Sequence, residues 1–208
     1  MLKQNFKDQL EFNLYTAEQK TRMEKGYLLR SEREILKKML EKDYKPIFIK
    51  EEKPKLPIVT NINELRKSCQ EVTKEDNIKE IIQKLKDTLA CYKGLGLSAN
   101  QIGIQKRISY IKIPKMNKDK QVEFTELILI NAKIIEKERL IKVNNEQCLS
   151  FSGIGITTKR YIFVTVEYLN EKMEIQTGIL QDLEALVIQH ETDHQLGLTI
   201  FDRKWKAQ

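Results

Sequence analysis

The sequence predicts an α+β protein: a mostly antiparallel sheet packed around a C-terminal helix, with a helical N-terminal extension. Three observations support this prediction. The chain begins with a charged segment that lacks β-pattern, continues through several strand-like segments, and has apolar residues at helical spacing near its end. Its 208 residues suffice for one domain with an appendage, and the apolar fraction of 40% indicates a folded core.

The N-terminal extension is predicted to cover residues 1–53. Ser31 to Glu34 resemble a capping box, and apolar residues follow it at helical spacing. The charged, proline-containing stretch at 50–55 predicts a linker. We therefore place the domain boundary there and expect the main domain at 54–208.

Two further helices are predicted in the main domain. Apolar residues recur at helical spacing over 78–89, with Thr73 as a candidate N-cap and Gly94 as a candidate stop. Near the C-terminus, the apolar residues of 183–187 share one helical face with His190. That face should be buried, which would place the histidine in the interior.

Strands are predicted between these helices. Apolar and β-branched residues indicate strands over 108–113, 127–135 and 162–168. A turn at 169–172 should lead to one more short strand. Residues 56–60 suggest an edge segment, because proline is tolerated at the edge of a sheet.

The composition indicates the cellular compartment and limits the kinds of partner that the protein could bind. Three widely spaced cysteines argue against a disulfide framework and for a reducing compartment. No apolar run reaches the roughly 18–20 residues of a membrane span, and no signal-peptide core is evident. A formal charge of +7 permits an RNA-rich partner but gives no sign of sequence-specific nucleic-acid binding. We expect a soluble, cytoplasmic protein without a membrane partner.

The only two histidines, His190 and His194, lie four residues apart and frame Glu191 in an H-E-x-x-H pattern. On a helix both imidazoles face the same side and could hold one metal ion, beside which Glu191 could move a proton. Catalytic zinc-type sites use three protein ligands. Cys148 is the candidate for the third, since a thiolate suits Fe(II) or Zn(II). The alternatives are two chance histidines on a surface helix and a cysteine that only fills the core.

A glycine-rich segment runs from Gly94 to Gln101. Its glycines would let the backbone approach a ligand closely. The segment lacks the Lys and Ser/Thr of a phosphate-binding loop, so nucleotide binding is not expected. The Gln101 amide could stabilise an oxyanion, or the segment could be an ordinary turn.

Together, three segments resemble the motifs of the peptide deformylase family. Residues 94–101, 146–150 and 189–194 correspond in order to G-x-G-x-A-A-x-Q, E-G-C-L-S and Q-H-E-x-D-H, and the resemblance covers about residues 54–203. It implies a hydrolase that removes the formyl group from N-formyl-methionyl nascent peptides and releases formate. It also implies one Fe(2+) per chain, replaceable by Zn(2+), Ni(2+) or Co(2+).

The resemblance also implies a role for each matching residue. Cys148, His190 and His194 would hold the metal, and Glu191 would act as general base and then as acid. The Gln101 amide and the Leu149 N–H would bind the oxyanion. An ion pair of Asp193 with Arg160 would steady the metal-binding helix. The substrate pocket would be formed by Gly94, Leu95, Gly96, Glu146, Leu183, Leu186 and Val187. The last three could equally be plain core.

The chain departs from the family pattern at several positions. Gln147 stands where the family has glycine, so a positive φ there would strain the backbone and displace the Leu149 donor. Ser98 replaces the commoner alanine. Gly155 stands where some relatives carry an arginine that contacts the peptide, so weaker peptide contacts are expected.

Other functions are also compatible with the sequence. A metallopeptidase cutting internal bonds would leave Cys148 and Gln101 unexplained, and a silent binding module should have lost Glu191 or a metal ligand. A structural metal site usually has four protein ligands. We expect a monomer in the cytoplasm, or alternatively in an organelle. The N-terminal extension could contact the ribosome, although charged segments are more often solvated or packed on the domain.

Overall fold

The computed structural model describes residues 56–92, 94–116 and 122–206. The predicted extension at 1–53, including its capping box, lies outside these residues. Within them the chain forms one five-stranded sheet, whose strands neighbour one another in chain order, and the sheet packs against helices. Because all neighbouring strands are antiparallel, the predicted α+β class is confirmed. Among the described residues, no helix is long and apolar enough to cross a membrane.

The strands follow the chain order as a meander. Their bounds are β1 Gly96–Ser98, β2 Ile108–Met116, β3 Val122–Gln147, β4 Gly155–Leu169 and β5 Ile175–Gln181. The predicted strands at 108–113, 127–135 and 162–168 lie inside β2, β3 and β4, and the expected last strand is β5. Residues 56–60 were expected at a sheet edge, but they form no strand. Val59 instead donates its N–H to the carbonyl of Gln101 at 2.8 Å.

Strand β3 is much longer than predicted, at 26 residues, and it is irregular. Its pairing with β4 shifts register at three places, and Asn131, Arg139 and Asn145 adopt φ of 52°, 54° and 55°. Such bulges bend a strand. Gln147 is not among the positive-φ residues and pairs regularly with Gly155, so the strain expected at Gln147 is absent.

The helices are α1 Ile62–Leu65, α2 Ile78–Cys91 and α3 Asp182–Gln195. Helix α2 begins one residue after Asn77, whose side chain accepts from the N–H of Glu80, so Thr73 is not the N-cap. Asn77 is preferred at the start of α2 because its side-chain oxygen satisfies a free backbone donor of the first turn. Short 3₁₀ helices cover Ala99–Ile102, Leu149–Phe151 and Ile200–Arg203.

Helix α3 lies inside the molecule and is buried on nearly all sides. Ile188 and Val187 pack on side chains of the sheet such as Leu129 and Val166, in a cluster that also holds Leu183. Burying each such side chain contributes roughly 1.5–3 kcal/mol. This packing fixes α3 against the sheet and thereby places the H-E-x-x-H residues in the interior.

Candidate metal centre and active site

The structure brings Cys148, His190 and His194 together. One ligand atom from each lies within 4.8 Å of the others, and Cys148 Sγ is 3.2 Å from His194 Nε2. Cys148 follows directly after β3, whereas both histidines lie on α3, one helical turn apart. The packing of the end of β3 across α3 therefore creates the three-residue cluster.

The Glu146 carboxylate is hydrogen-bonded to the His190 ring. Its Oε1 lies 2.7 Å from His190 Nδ1, and its other oxygen accepts from Thr158 Oγ1 and from Arg160 Nε. A carboxylate can only accept here, so Nδ1 carries the proton and Nε2 is the ring nitrogen left to bind a metal ion. A histidine that donates its second N–H to a carboxylate is the usual arrangement in metal sites.

Arg160 joins this carboxylate to a second one. It is 2% exposed and donates through Nη2 to Glu146 at 2.6 Å and through Nη1 to Asp193 at 2.5 Å. Arg203, from the last 3₁₀ helix, also pairs with Asp193. The sequence suggested the contact between Asp193 and Arg160, but it gave no sign that Glu146 and Arg203 belong to the same network.

This network controls the ionisation of the buried groups. Burial acts to raise the pKa of Glu146, but Arg160 and His190 hold that pKa well below its usual range. Burial acts to lower the pKa of His190, but hydrogen bonds with Cys148 and Glu146 raise it well above the ordinary value. For His194, burial lowers the pKa. The lowered pKa favours the ionised form of Glu146 beneath the cluster.

Glu191 lies beside the three-residue cluster and is buried. Its Oε2 accepts from Ser98 Oγ at 2.7 Å, and its Oε1 lies directly over Gly96. A Cβ at position 96 would be only 2.4 Å from that oxygen, so the carboxylate fits because residue 96 is glycine. Burial raises the pKa of Glu191. A raised pKa suits a group that accepts and returns a proton near neutral pH.

Gln101 points its amide nitrogen at the cluster. Its Oε1 accepts the backbone N–H of Ser98 at 2.9 Å, while Nε2 lies 3.4 Å from Cys148 Sγ and 3.2 Å from Ser150 Oγ. The Ser98 N–H thus fixes which way the amide faces. Leu149 is the first residue of a 3₁₀ helix, where backbone N–H groups have no partner within the helix.

A cavity of about 90 Å³ opens onto these groups. Six of the seven residues predicted for the substrate pocket line it, namely Gly94, Leu95, Gly96, Glu146, Leu186 and Val187. Leu183 does not line it and packs in the core beside the sheet. Val143, Gln147 and Ser152 also line the cavity and were not predicted to do so. Only the folding of β3 brings Val143 there, and its surrounding sequence carries no signal of this.

The donor set fits a divalent metal ion. A thiol and two imidazoles converge, one imidazole is oriented by a carboxylate, and the described part of the chain adds no fourth protein ligand to the cluster. Three protein ligands with an open position are typical of catalytic rather than structural sites. Such a site beside a buried glutamate is typical of metal-dependent hydrolases.

Comparison with known proteins identifies the family. The sequence profile of polypeptide deformylases matches residues 56–208, and the chain belongs to that family. The peptide deformylase of Aquifex aeolicus is 38% identical over 140 residues, which cover 67% of this chain and 80% of that protein. That of Thermotoga petrophila is 34% identical over the same shares. Members of this family are metal-dependent and remove N-formyl groups from nascent peptides, and this chain is an enzyme of that kind.

Solved structures show the same fold. The peptide deformylase of Thermotoga maritima aligns with a TM-score of 0.63 at 31% identity, covering 73% of this chain and 98% of that one. The deformylase of Synechococcus elongatus, solved in complex with actinonin, aligns with a TM-score of 0.65 at 29% identity, covering 78% and 87%.

Proposed function

We propose that Cys148, His190 and His194 hold one Fe(II) ion, and that Glu191, Gln101 and Leu149 carry out deformylation of N-formyl-methionyl peptides beside it. The observation that supports this most directly is the convergence of the three ligand atoms within 4.8 Å, next to the Glu191 carboxylate. Zn(II), Ni(II) or Co(II) would occupy the same donors, because imidazole and thiolate bind all of these ions.

The chemistry follows from the positions of the side chains. A metal held there supplies Lewis acidity towards water and the formyl carbonyl. Glu191 takes the proton from the attacking water and later returns it to the departing amine nitrogen. The Gln101 amide and the Leu149 N–H donate to the formyl oxygen as negative charge builds on it. Loss of one such donor typically lowers the rate by roughly 10²–10³-fold.

The walls of the cavity suit a methionine side chain. Val143, Leu186 and Val187 supply apolar surface to it. Glu146 lines the same cavity, but its two oxygens are taken by Thr158, Arg160 and His190. We therefore assign Glu146 to holding His190 rather than to binding the peptide.

The test is formate release from a formyl-Met-Ala peptide by anaerobically prepared Fe(II) protein. We expect release by the wild type and a loss of at least about 10²-fold in Glu191→Ala, the typical size of a general acid–base contribution. Glu184→Ala is the matched control, because Glu184 lies on the same helix and pairs with Lys115 outside the cavity. Equal activity of all three proteins would exclude the role proposed for Glu191.

The remaining assignments concern the rest of the chain. We infer that residues 54–208 form the catalytic domain and that residues 1–53 are a separate extension that packs on the domain or contacts the ribosome. Co-sedimentation of ribosomes with the full chain and with a variant lacking residues 1–53, at low and high salt, tests the contact.

Cys69, Cys91 and Cys148 are unpaired, which supports a reducing compartment, in the cytoplasm or in an organelle. A monomer is the simplest assembly for a site built within one chain.

A further inference from the structure

Three buried polar side chains form a series of hydrogen bonds that ends at the Glu191 carboxylate. Ser98 ends β1, Ser109 lies opposite it on β2, and Gln195 is the last residue of α3. Each is at most 1% exposed. Burying polar groups is unfavourable unless they are hydrogen-bonded, and these three bond in series to one another and to the carboxylate.

The series begins at an amide whose orientation is fixed. Gln195 Oε1 accepts the backbone N–H of Ala132 at 3.2 Å, and Nε2 donates to the carbonyl of Leu129 at 3.1 Å. The same Nε2 donates to Ser109 Oγ at 2.9 Å. Ser109 Oγ therefore accepts a hydrogen bond from Gln195, and its own hydroxyl proton is left for a bond that it donates.

The direction of the remaining bonds follows. Ser109 Oγ and Ser98 Oγ are 2.6 Å apart, and Ser98 Oγ lies 2.7 Å from Glu191 Oε2. Ser98 has one hydroxyl proton and two acceptors on Glu191, the backbone carbonyl at 3.1 Å and Oε2 at 2.7 Å, and it donates to the closer Oε2. Ser109 must then donate to Ser98. Every donor in the series points towards Glu191.

We propose that Ser98, Ser109 and Gln195 are positioning residues that hold the Glu191 carboxylate in the orientation required for proton transfer. The proposal rests on the catalytic role proposed for Glu191. Ser98 fixes Oε2, so Oε1 is the oxygen directed over Gly96, on the wall of the cavity. Alanine at position 98 would leave Oε2 without this donor.

Kinetic measurements on the Fe(II) protein test the proposal, with the metal content of each variant quantified. We expect Ser98→Ala to lower kcat about tenfold and Ser109→Ala about threefold, with KM changing less than about twofold, since a positioning bond acts on the chemical step. Thr88→Val is the matched control, because it removes a buried hydroxyl from α2 that makes no hydrogen bond among the described residues. It should change neither constant. In a Glu191→Ala background, Ser98→Ala should cause no further loss.

A crystal structure of Ser98→Ala gives a readout independent of activity. We expect the Glu191 carboxylate to turn away from its position over Gly96. If the carboxylate keeps its position, or if only KM changes, the three residues do not position Glu191. If instead Glu191→Ala still releases formate at the wild-type rate, the catalytic role of Glu191 is wrong, while the crystal structure still decides whether Ser98 orients it.

Discussion

Glu146 Oε1 and His190 Nδ1 lie 2.7 Å apart in the interior, although 44 positions separate the two residues. The contact arises because β3 ends beside α3, and it makes the last residues of a strand responsible for the orientation of a helix side chain. Arg160 and Thr158, both on β4, bind the same carboxylate. The geometry of the cluster thus depends on the register between β3 and β4.

Replacing Glu146 by glutamine should weaken metal binding. The amide cannot accept from His190 and Arg160 as the carboxylate does, so the His190 ring loses its fixed orientation. Groups that orient metal ligands typically contribute 10–100-fold to metal affinity. We expect a loss of about that size in Glu146→Gln, measured by competition with a zinc chelator. The control is Glu138→Gln, an exposed position on the same strand. Equal affinities of the two variants would show that Glu146 does not support the metal ligand.

Replacing Arg160 by methionine should destabilise the fold. Without the guanidinium, Glu146 loses its main counter-charge in the interior and Asp193 keeps only Arg203. Breaking a buried pair on one side typically costs about 3–5 kcal/mol. Urea unfolding should show a loss of this order in Arg160→Met, whereas Lys159→Met, at the exposed neighbouring position, should stay close to the wild type. A loss no larger than that of Lys159→Met contradicts the prediction.

Replacing Gly96 by alanine should impair catalysis more than folding. The new Cβ would lie 2.4 Å from Glu191 Oε1 and 2.8 Å from its Cδ, so the carboxylate must move. We expect kcat to fall by about 10²-fold, the lower range of a general acid–base contribution. Gly178→Ala is the matched control, since a Cβ there meets its nearest atom at 3.9 Å. If Gly96→Ala keeps the kcat of Gly178→Ala, the close packing of Glu191 on residue 96 has no part in catalysis.

The buried thiol of Cys69 should react slowly at alkaline pH. Burial raises its pKa to about 11, against a smaller opposite effect of Arg107. A raised pKa means that the thiol stays protonated at pH 8, and only the thiolate is nucleophilic. Peptide mass spectrometry after iodoacetamide treatment should find Cys91, which is partly exposed, modified well before Cys69. The rate at Cys69 should rise with pH up to that pKa. Equal rates for the two thiols at pH 8 would contradict this.

The sequence predicted the parts of the fold that depend on local pattern. Helix α3 carries apolar residues at helical spacing, so both its position and the shared face of His190 and His194 followed from periodicity. Strand β3 was underestimated because residues 136–142 are mostly charged and exposed, and only pairing with β4 keeps them extended. The start of α2 was misplaced because Thr73 and Asn77 both have capping side chains, but Asn77 caps the helix while Thr73 bonds to Asp76.

The site was predictable where a motif carries it and not where distant residues meet. Gln101 and Cys148 were found from their motifs. By contrast, Ser109 lies in a segment without any motif, and it approaches Glu191 only because β2 and α3 come together. Gln195 lies on the same helix as Glu191, directly after the motif at 189–194, but its bond to Ser109 depends on the same contact. Glu146 was predicted to line the substrate pocket and does line the cavity, but its binding to His190 depends on a contact between elements that no local pattern contains.

The most direct test of the central claim is anomalous diffraction from crystals of the zinc-loaded protein, recorded above and below the zinc absorption edge. We predict one peak per chain, in contact with Cys148, His190 and His194 and facing the cavity beside Glu191. The Cys148→Ala variant should lose most of that peak. A zinc ion bound elsewhere, or a peak of equal height in Cys148→Ala, would contradict the assignment of these three residues as the metal centre.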